Sequence, residues 1–263
     1  MDRYALPHDL SGEPDRLALM SQMLDPQLFF RLRQIGVGQG WRCLEVGAGN
    51  GSVSRWLGQQ VGETGSVIVS DLTPDLIRAV EAPNVEVKAI DVTSDELGSG
   101  YDLVVARALL HHLPGRTAVL GRLAEAVGEG GWLVLEEPDF HPVLATDNPE
   151  LRDFWEGWLA WAASEDIDYF VGRRIAARMI ALGLQDVRAW GETILYRGGS
   201  LTARYLSSTM HELHDRLLAS GFISPRVWDD AMALFENEDF WSWQNSYVTT
   251  VGRRAAGRGR RGS

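Results

Sequence analysis

The sequence predicts an α/β chain in which a mostly parallel sheet, covered by helices on both faces, carries a helical cap. Three observations predict it. Short apolar runs alternate with helical stretches from residue 41 to residue 136, the order that βαβ units produce. A glycine-rich turn joins the first of those runs to the helix behind it. Beyond Pro138 the alternation stops, and tryptophan-rich helical blocks interrupt the order of a sheet.

The elements are expected in this order. Two helices open the chain, over Pro14 to Leu24 and Pro26 to Ile35, and Gly36 to Gly40 forms a loop. The first strand is Trp41 to Val46, with a helix over Ser52 to Gln60. Strand two is Ser66 to Ser70 and is followed by a brief helix over Pro74 to Val80. Strand three, Asn84 to Ile90, alternates apolar side chains at Val85, Val87 and Ala89. Strand four is Asp102 to Ala106, an amphipathic helix covers Arg116 to Val127, and strand five is Gly131 to Glu136. Trp155, Trp158 and Trp161 then recur every three residues on one helical stretch. A helix over Gly172 to Leu182, a strand over Val187 to Tyr196, a helical block over Leu201 to Phe235 and a last strand over Ser242 to Val251 complete the reading. One domain is expected, its core about 37–138, 171–197 and 242–254, its cap about 1–30, 140–170 and 200–240, and 255–263 a disordered tail.

Composition narrows the function. With 263 residues, 45% of them hydrophobic, the chain can bury a full α/β core. No apolar run is long enough to span a bilayer, and the N-terminus lacks the basic-then-apolar pattern of a secretory signal. The single cysteine, Cys43, excludes an internal disulfide and fits a reducing, cytoplasmic compartment. Formal net charge is −11, and removing the five arginines of residues 253–263 leaves −16 on the body. A body so acidic repels phosphate backbones, so no nucleic-acid partner is expected, and no membrane either.

The chemistry is concentrated in Leu44-Glu45-Val46-Gly47-Ala48-Gly49-Asn50-Gly51. Glycines let the backbone turn tightly and let a ligand approach with no Cβ in the way. Glu45 opposes a pyrophosphate and suits a ligand that carries an ammonium group. The run resembles the acid-x-Gly-x-Gly-x-Gly motif of class I S-adenosylmethionine-dependent methyltransferases. That resemblance implies a Rossmann-like, seven-stranded sheet and S-adenosylmethionine as cofactor. It also implies that Asp71 at the end of strand two accepts from the ribose hydroxyls beside Leu72, and that Asp91 takes the adenine amino group beside Val92. Strand four then runs beside the methionine moiety through Arg107, and strand five begins with Gly130-Gly131 and ends near acids. Gly47, Ala48, Gly49, Asn50 and Gly51 form the cofactor loop. Tyr4-Ala5-Leu6 and Arg16-Leu17 resemble a lid found in some family members, with Met20 where a glutamine often stands.

Further candidates follow from residue type. Of the adjacent His111 and His112, which are expected to point different ways, one faces the cleft as a catalytic base or both pack structurally. His141, Trp155, Trp158 and Tyr205 are the candidates for holding a small-molecule methyl acceptor, since an aromatic cap suits an apolar or aromatic partner. Arg107 orients the cofactor carboxylate or pairs with a structural acid. Cys43 reads as core. His211 and His214 lack a third ligand, so no metal is expected. A methyltransferase acting on a small acceptor through O, N or activated carbon, in secondary metabolism, is the reading. A fold-sharing binding protein without turnover is the alternative. A nicotinamide dehydrogenase is disfavoured, because its fingerprint is Gly-x-Gly-x-x-Gly. Ala106-Arg107-Ala108-Leu109 also lacks the Asp/Asn-Pro-Pro-aromatic run of DNA amino-methylating enzymes.

Overall fold

The structure is a computed structural model that describes residues 12–72, 77 and 82–256. Seven strands form one sheet: β1 (Arg42–Val46), β2 (Ser66–Asp71), β3 (Val85–Ala89), β4 (Tyr101–Arg107), β5 (Val127–Asp139), β6 (Gln185–Glu192) and, later in the chain, β9 (Ser246–Arg253). Their spatial order is β3-β2-β1-β4-β5-β9-β6. The first five pair in parallel, and β9 runs antiparallel between β5 and β6. The strand order reverses between β1 and β4, which is where open α/β sheets leave a crevice at their carboxyl ends.

Alternation within the strands sends side chains to two apolar layers. Cys43, Val67, Val69, Leu103, Val105 and Val134 meet α1 (Glu13–Gln34) and α2 (Ser52–Val61) on one face. Leu44, Val46, Val104, Ala106, Leu133 and Leu135 meet α3 (Arg116–Ala126) and α5 (Ile175–Ala181) on the other. Strands buried on both faces explain why their sequences read as continuous apolar runs.

The remaining helices are α4 (Pro149–Ser164), α6 (Leu201–Glu212), α7 (His214–Ser220) and α8 (Pro225–Glu236). Their starts are set locally. Asn148 accepts from Leu151 N at 2.8 Å, while Ser200 and Ser224 each accept from the amide three residues on at 3.3 Å. They share a third apolar cluster in which Phe154, Trp155, Trp158 and Trp161 are buried among Phe140, Tyr169, Trp228 and Phe235. Helix α1 joins the two regions. Leu28 and Leu32 enter the layer beneath the sheet, whereas Leu19, Met20 and Met23 pack against the aromatic cluster.

Several expectations need correction. The two opening helices are one, because Pro26 lies inside α1 and its lost amide does not end the helix. The strand expected over Val187 to Tyr196 is two strands in different sheets, β6 and β7 (Leu195–Arg197). The last strand likewise divides into β8 (Trp241–Trp243) and β9, and β7 pairs with β8 in a separate antiparallel ribbon. The hinges at 193–194 and 244–245 carry the ribbon out of the sheet, and α6 to α8 lie between its strands in sequence. Strand β5 also starts four residues before the expected Gly131 and ends three beyond Glu136. The helix expected over Pro74 to Val80 lies outside the described residues except for Ile77, which is buried. The tail from 257 onward lies outside them too. Among the described residues no helix is long and apolar enough to cross a membrane.

Candidate active site

The glycine turn is built as its sequence suggests. Gly47, Gly49 and Gly51 all have positive φ, at +71°, +55° and +71°. A Cβ on Gly47 would meet Leu109 at 3.0 Å, and one on Gly49 would meet Leu17 at 3.3 Å, so conformation and space both require glycine. The amides of Gly47 and Ala48 donate to Ser70 O at 2.8 and 3.2 Å, which ties the turn to β2. Opposite it, Ala108 holds φ at +50° directly after β4. Left-handed backbone costs an alanine roughly 1 kcal/mol, and such strain clusters at functional sites.

Strand register then sets a row of polar side chains along the carboxyl ends on the α1 side. Glu45 pairs with Val69 and Val105, Arg107 with Glu136, and Glu136 with Thr249. Asp71 ends β2, and its Oδ2 accepts from Gly49 N at 3.0 Å. The Glu45 carboxylate accepts from Ser54 Oγ of α2. Arg107 donates through Nη1 to Asp25 of α1 at 2.6 Å and through Nη2 to Ser52 Oγ at 3.1 Å. Ser52 donates to Asp25 as well, at 3.0 Å, and Ser21 donates to both Asn50 and Ser52. Helix α1 is thus bound to the turn by a continuous polar network. Arg107 pairs here with an acid of this chain, Asp25.

Burial perturbs these groups. Desolvation pushes Glu45 up to about 7, against the opposing pull of Ser54 and Arg107. Desolvation pushes Glu136 up to about 7 as well, opposed by Arg107 and the Thr249 hydroxyl. Burial alone would lower the Arg107 guanidinium, but Asp25 and Glu136 hold it above its ordinary value.

Adjacent to Glu136, Glu137 serves the other side. It is fully buried and accepts from the amides of Leu109, Leu110 and His111 at 2.9, 2.7 and 3.3 Å, and from His111 Nδ1 at 2.9 Å. One carboxylate therefore fixes the turn at Leu110–His112 and orients the His111 ring. His111 and His112 are both buried, and their ring centroids lie 3.7 Å apart, so these neighbours lean together where divergence was expected. A 3-10 turn allows this, since its neighbouring side chains are less splayed than those of a strand. Tyr169 lies 5.4 Å from His111, and His111 O receives the Asp168 amide at 2.9 Å.

Other candidates are dispersed. Asp91 sits at the edge beyond β3, where Oδ1 accepts from Thr93 N and Oγ1 at 2.8 and 2.6 Å; those bonds hold its carboxyl below the ordinary value. Val92 is buried, and Leu72 is exposed at the bend after β2. His141 is exposed, and its amide caps Asp139, which Arg173 grips with two bonds. Trp155 and Trp158 are buried in the aromatic cluster, and neither indole N–H has a hydrogen-bond partner among the described residues. Tyr205 lies with Tyr247, their hydroxyls 3.1 Å apart, and burial followed by the Tyr205 contact keeps the Tyr247 phenol well above its usual value. Tyr4 lies outside the described residues. Cys43 is core, its thiol pushed up to about 12 by burial and then by Asp102. His211 and His214 both pack their rings against Trp228, and no metal-binding cluster exists among the described residues. The sequence reading missed Asp25, Ser52, Glu136, Glu137 and Tyr247. Only the acids that close strand five were visible as a feature.

Residues 7–189 match the family model of a methyltransferase domain. The chain belongs to this methyltransferase family. It is 29% identical over 178 residues to Methyltransferase str3 of Strobilurus tenacellus, covering 65% of this chain and 62% of that relative. The chain thus spans about three-fifths of the length of that curated relative. Its fold is similar to Haemonchus contortus phosphoethanolamine N-methyltransferase 2, solved with phosphomonomethylethanolamine and S-adenosylhomocysteine. There the TM-score is 0.58 at 13% identity, covering 88% of this chain and 53% of that one. An O-methyltransferase family protein from Burkholderia thailandensis gives a TM-score of 0.57 at 14% identity, covering 95% of this chain and 62% of the other. The seven-stranded, mostly parallel sheet expected from the sequence is the fold of this family.

Proposed function

We propose that this methyltransferase uses S-adenosylmethionine to methylate a small molecule at oxygen, nitrogen or activated carbon. The observation that carries the reading is the juxtaposition of Glu45, the three positive-φ glycines and Asp71 at the reversal of strand order. These residues fit the cofactor. The glycine floor leaves room that a Cβ would fill, and a row of buried acids suits a ligand with sulfonium and ammonium charges. Glu136 Oε2, buried with no partner among the described residues, is an acceptor that the chain itself leaves unused. Gly47, Ala48, Gly49, Asn50 and Gly51 would line the methionine and ribose, Asp71 with Leu72 the ribose, and Asp91 with Val92 the adenine.

Bound there, the cofactor supplies an electrophilic methyl group. The chain's part is to position the acceptor and exclude water. The acceptor site we assign lies between α1, α6, the start of β9 and the loop at Tyr169, where Tyr205 and Tyr247 place paired hydroxyls. Trp155 and Trp158, buried in the aromatic cluster, would back a wall for a flat or apolar body of the kind made in secondary metabolism. His111, its Nδ1 held by Glu137, is oriented to take a proton from a hydroxyl or amine acceptor, with His112 beside it. The acidic body argues against nucleic acid as acceptor. The test is production of S-adenosylhomocysteine from S-adenosylmethionine with a panel of phenols, carboxylic acids and amines. Turnover with at least one, abolished in Glu45→Ala, is expected; tight cofactor binding with no turnover on any would favour a binding protein.

A further inference from the structure

Three carboxyl groups surround one guanidinium at the carboxyl ends of β1, β4 and β5. Among the described residues, Arg107 gives its hydrogen bonds to Asp25 and Ser52, not to Glu45 or Glu136. Glu45 has the Ser54 hydroxyl, and Glu136 has the Thr249 hydroxyl at 2.9 Å on one oxygen and, among the described residues, no partner on the other. Glu45 and Glu136 are 4% and 2% exposed. Asp71 on β2 adds negative charge toward Glu45, and Glu137 on the same strand adds it toward Glu136. Helix α2 offers this cluster only the hydroxyls of Ser52 and Ser54, and β9 only that of Thr249. With Asp25, Glu45 and Glu136 all ionised, Arg107 would leave two negative charges uncompensated in a low-dielectric interior. Such an excess is resolved by a proton or by a cation.

Resting on the cofactor reading above, we infer that Glu136 and Glu45 together form a charge sensor for the sulfonium. Between them they hold a proton when the site lacks a cation and release it to solvent when S-adenosylmethionine binds. The cofactor carries one positive charge more than S-adenosylhomocysteine, so only the cofactor displaces the proton. Loss of the methyl group lets the proton return from solvent and removes the electrostatic hold on the product. Both carboxyls are pushed to about 7, which places the exchange near neutral pH. Both act on the one Arg107 guanidinium, which links their titrations. Glu136 is a positioning residue here, acting through the field at the glycine turn.

The test is calorimetric titration of the wild-type full chain at pH 6.5, in two buffers of different ionisation enthalpy, with each nucleoside separately. S-adenosylmethionine is expected to release more than about half a proton per site, and S-adenosylhomocysteine close to none. Its Kd should tighten about five- to tenfold from pH 6 to pH 7.5, while that of the product moves less than about twofold. The ligand's own α-amine, titrating near 8, would give proton uptake, the opposite sign. Glu136→Gln should at least halve the proton release and narrow the preference for the cofactor about threefold or more, with the product still bound. Equal release by both ligands, no release, or a Glu136→Gln variant identical to the wild type overturns the inference while leaving the cofactor reading intact. Failure of either ligand to bind overturns both.

Discussion

Glu136 and Glu137 are neighbours on one strand, equally buried, and they have opposite fates. The pleat turns them to opposite faces of the sheet. Glu137 meets three amides and an imidazole, and its oxygens are fully engaged in fixing the turn after β4. Glu136 meets a guanidinium already taken by Asp25, one hydroxyl and other acids, and one of its oxygens has no partner among the described residues. The difference teaches that burial by itself does not identify a functional carboxylate. A saturated acid is part of the scaffold, while an acid left short of donors is reserved for something the chain does not contain.

The comparison can be broken most sharply at Glu137. Glu137→Ala would strand three buried amides and the His111 ring, and should cost about 3–5 kcal/mol, roughly 10 °C in melting temperature for a chain of this size. A thermal melt that moved by only a degree or two would show that Glu137 is not structural in this sense. Glu45→Ala should do the reverse: the melting temperature holds or rises, and S-adenosylmethionine binding weakens at least about tenfold, as read by calorimetry.

The unsaturated side also predicts a pH dependence. The folded-state values of Glu45 and Glu136 lie above their unfolded values, so between about 4.5 and 7 the native chain binds more protons than the unfolded one. Their contribution to stability is therefore present at low pH and is lost as pH rises through 7. The cofactor-free melting temperature should fall from pH 5.5 to 7.5 by several degrees on this account, and Glu136→Gln should flatten the fall. A Glu136→Gln curve parallel to that of the wild type would contradict it. The smallest effect is expected from Thr249→Val, which removes the one hydroxyl on Glu136. It should cost about 1 kcal/mol in denaturant unfolding and shift the pH transition upward, whereas no shift would mean that Thr249 does not tune the carboxyl.

How much of this could be read in the sequence divides along the same line. The sheet and the family were legible because they rest on short-range signals: apolar runs buried on both faces, and an acid placed before three spaced glycines. Glu45 and Asp71 came with them, since strand ends fix their positions. Asp25 was not legible, because it lies on a helix that reaches the turn only through tertiary packing, and Pro26 beside it read as a helix boundary. Glu136 and Glu137 were visible as acids, but their opposite roles depend on which neighbours face each side of the pleat. The hinges at 193–194 and 244–245 were hidden because Thr193-Ile194 and Gln244-Asn245 include no glycine or proline to mark the bend. Tyr247 lies just past one hinge, which is why the reading that found Tyr205 missed its partner.

Equilibrium binding of S-adenosylmethionine to the purified chain, wild type beside Asp71→Asn, tests the account at its centre. Saturable binding with one site per chain, weakened at least about tenfold by the substitution while S-adenosylhomocysteine weakens in step, is the predicted result. A wild-type chain that leaves the nucleoside unbound at millimolar concentration, or an Asp71→Asn variant that binds it unchanged, would contradict the placement of the cofactor at the end of β2.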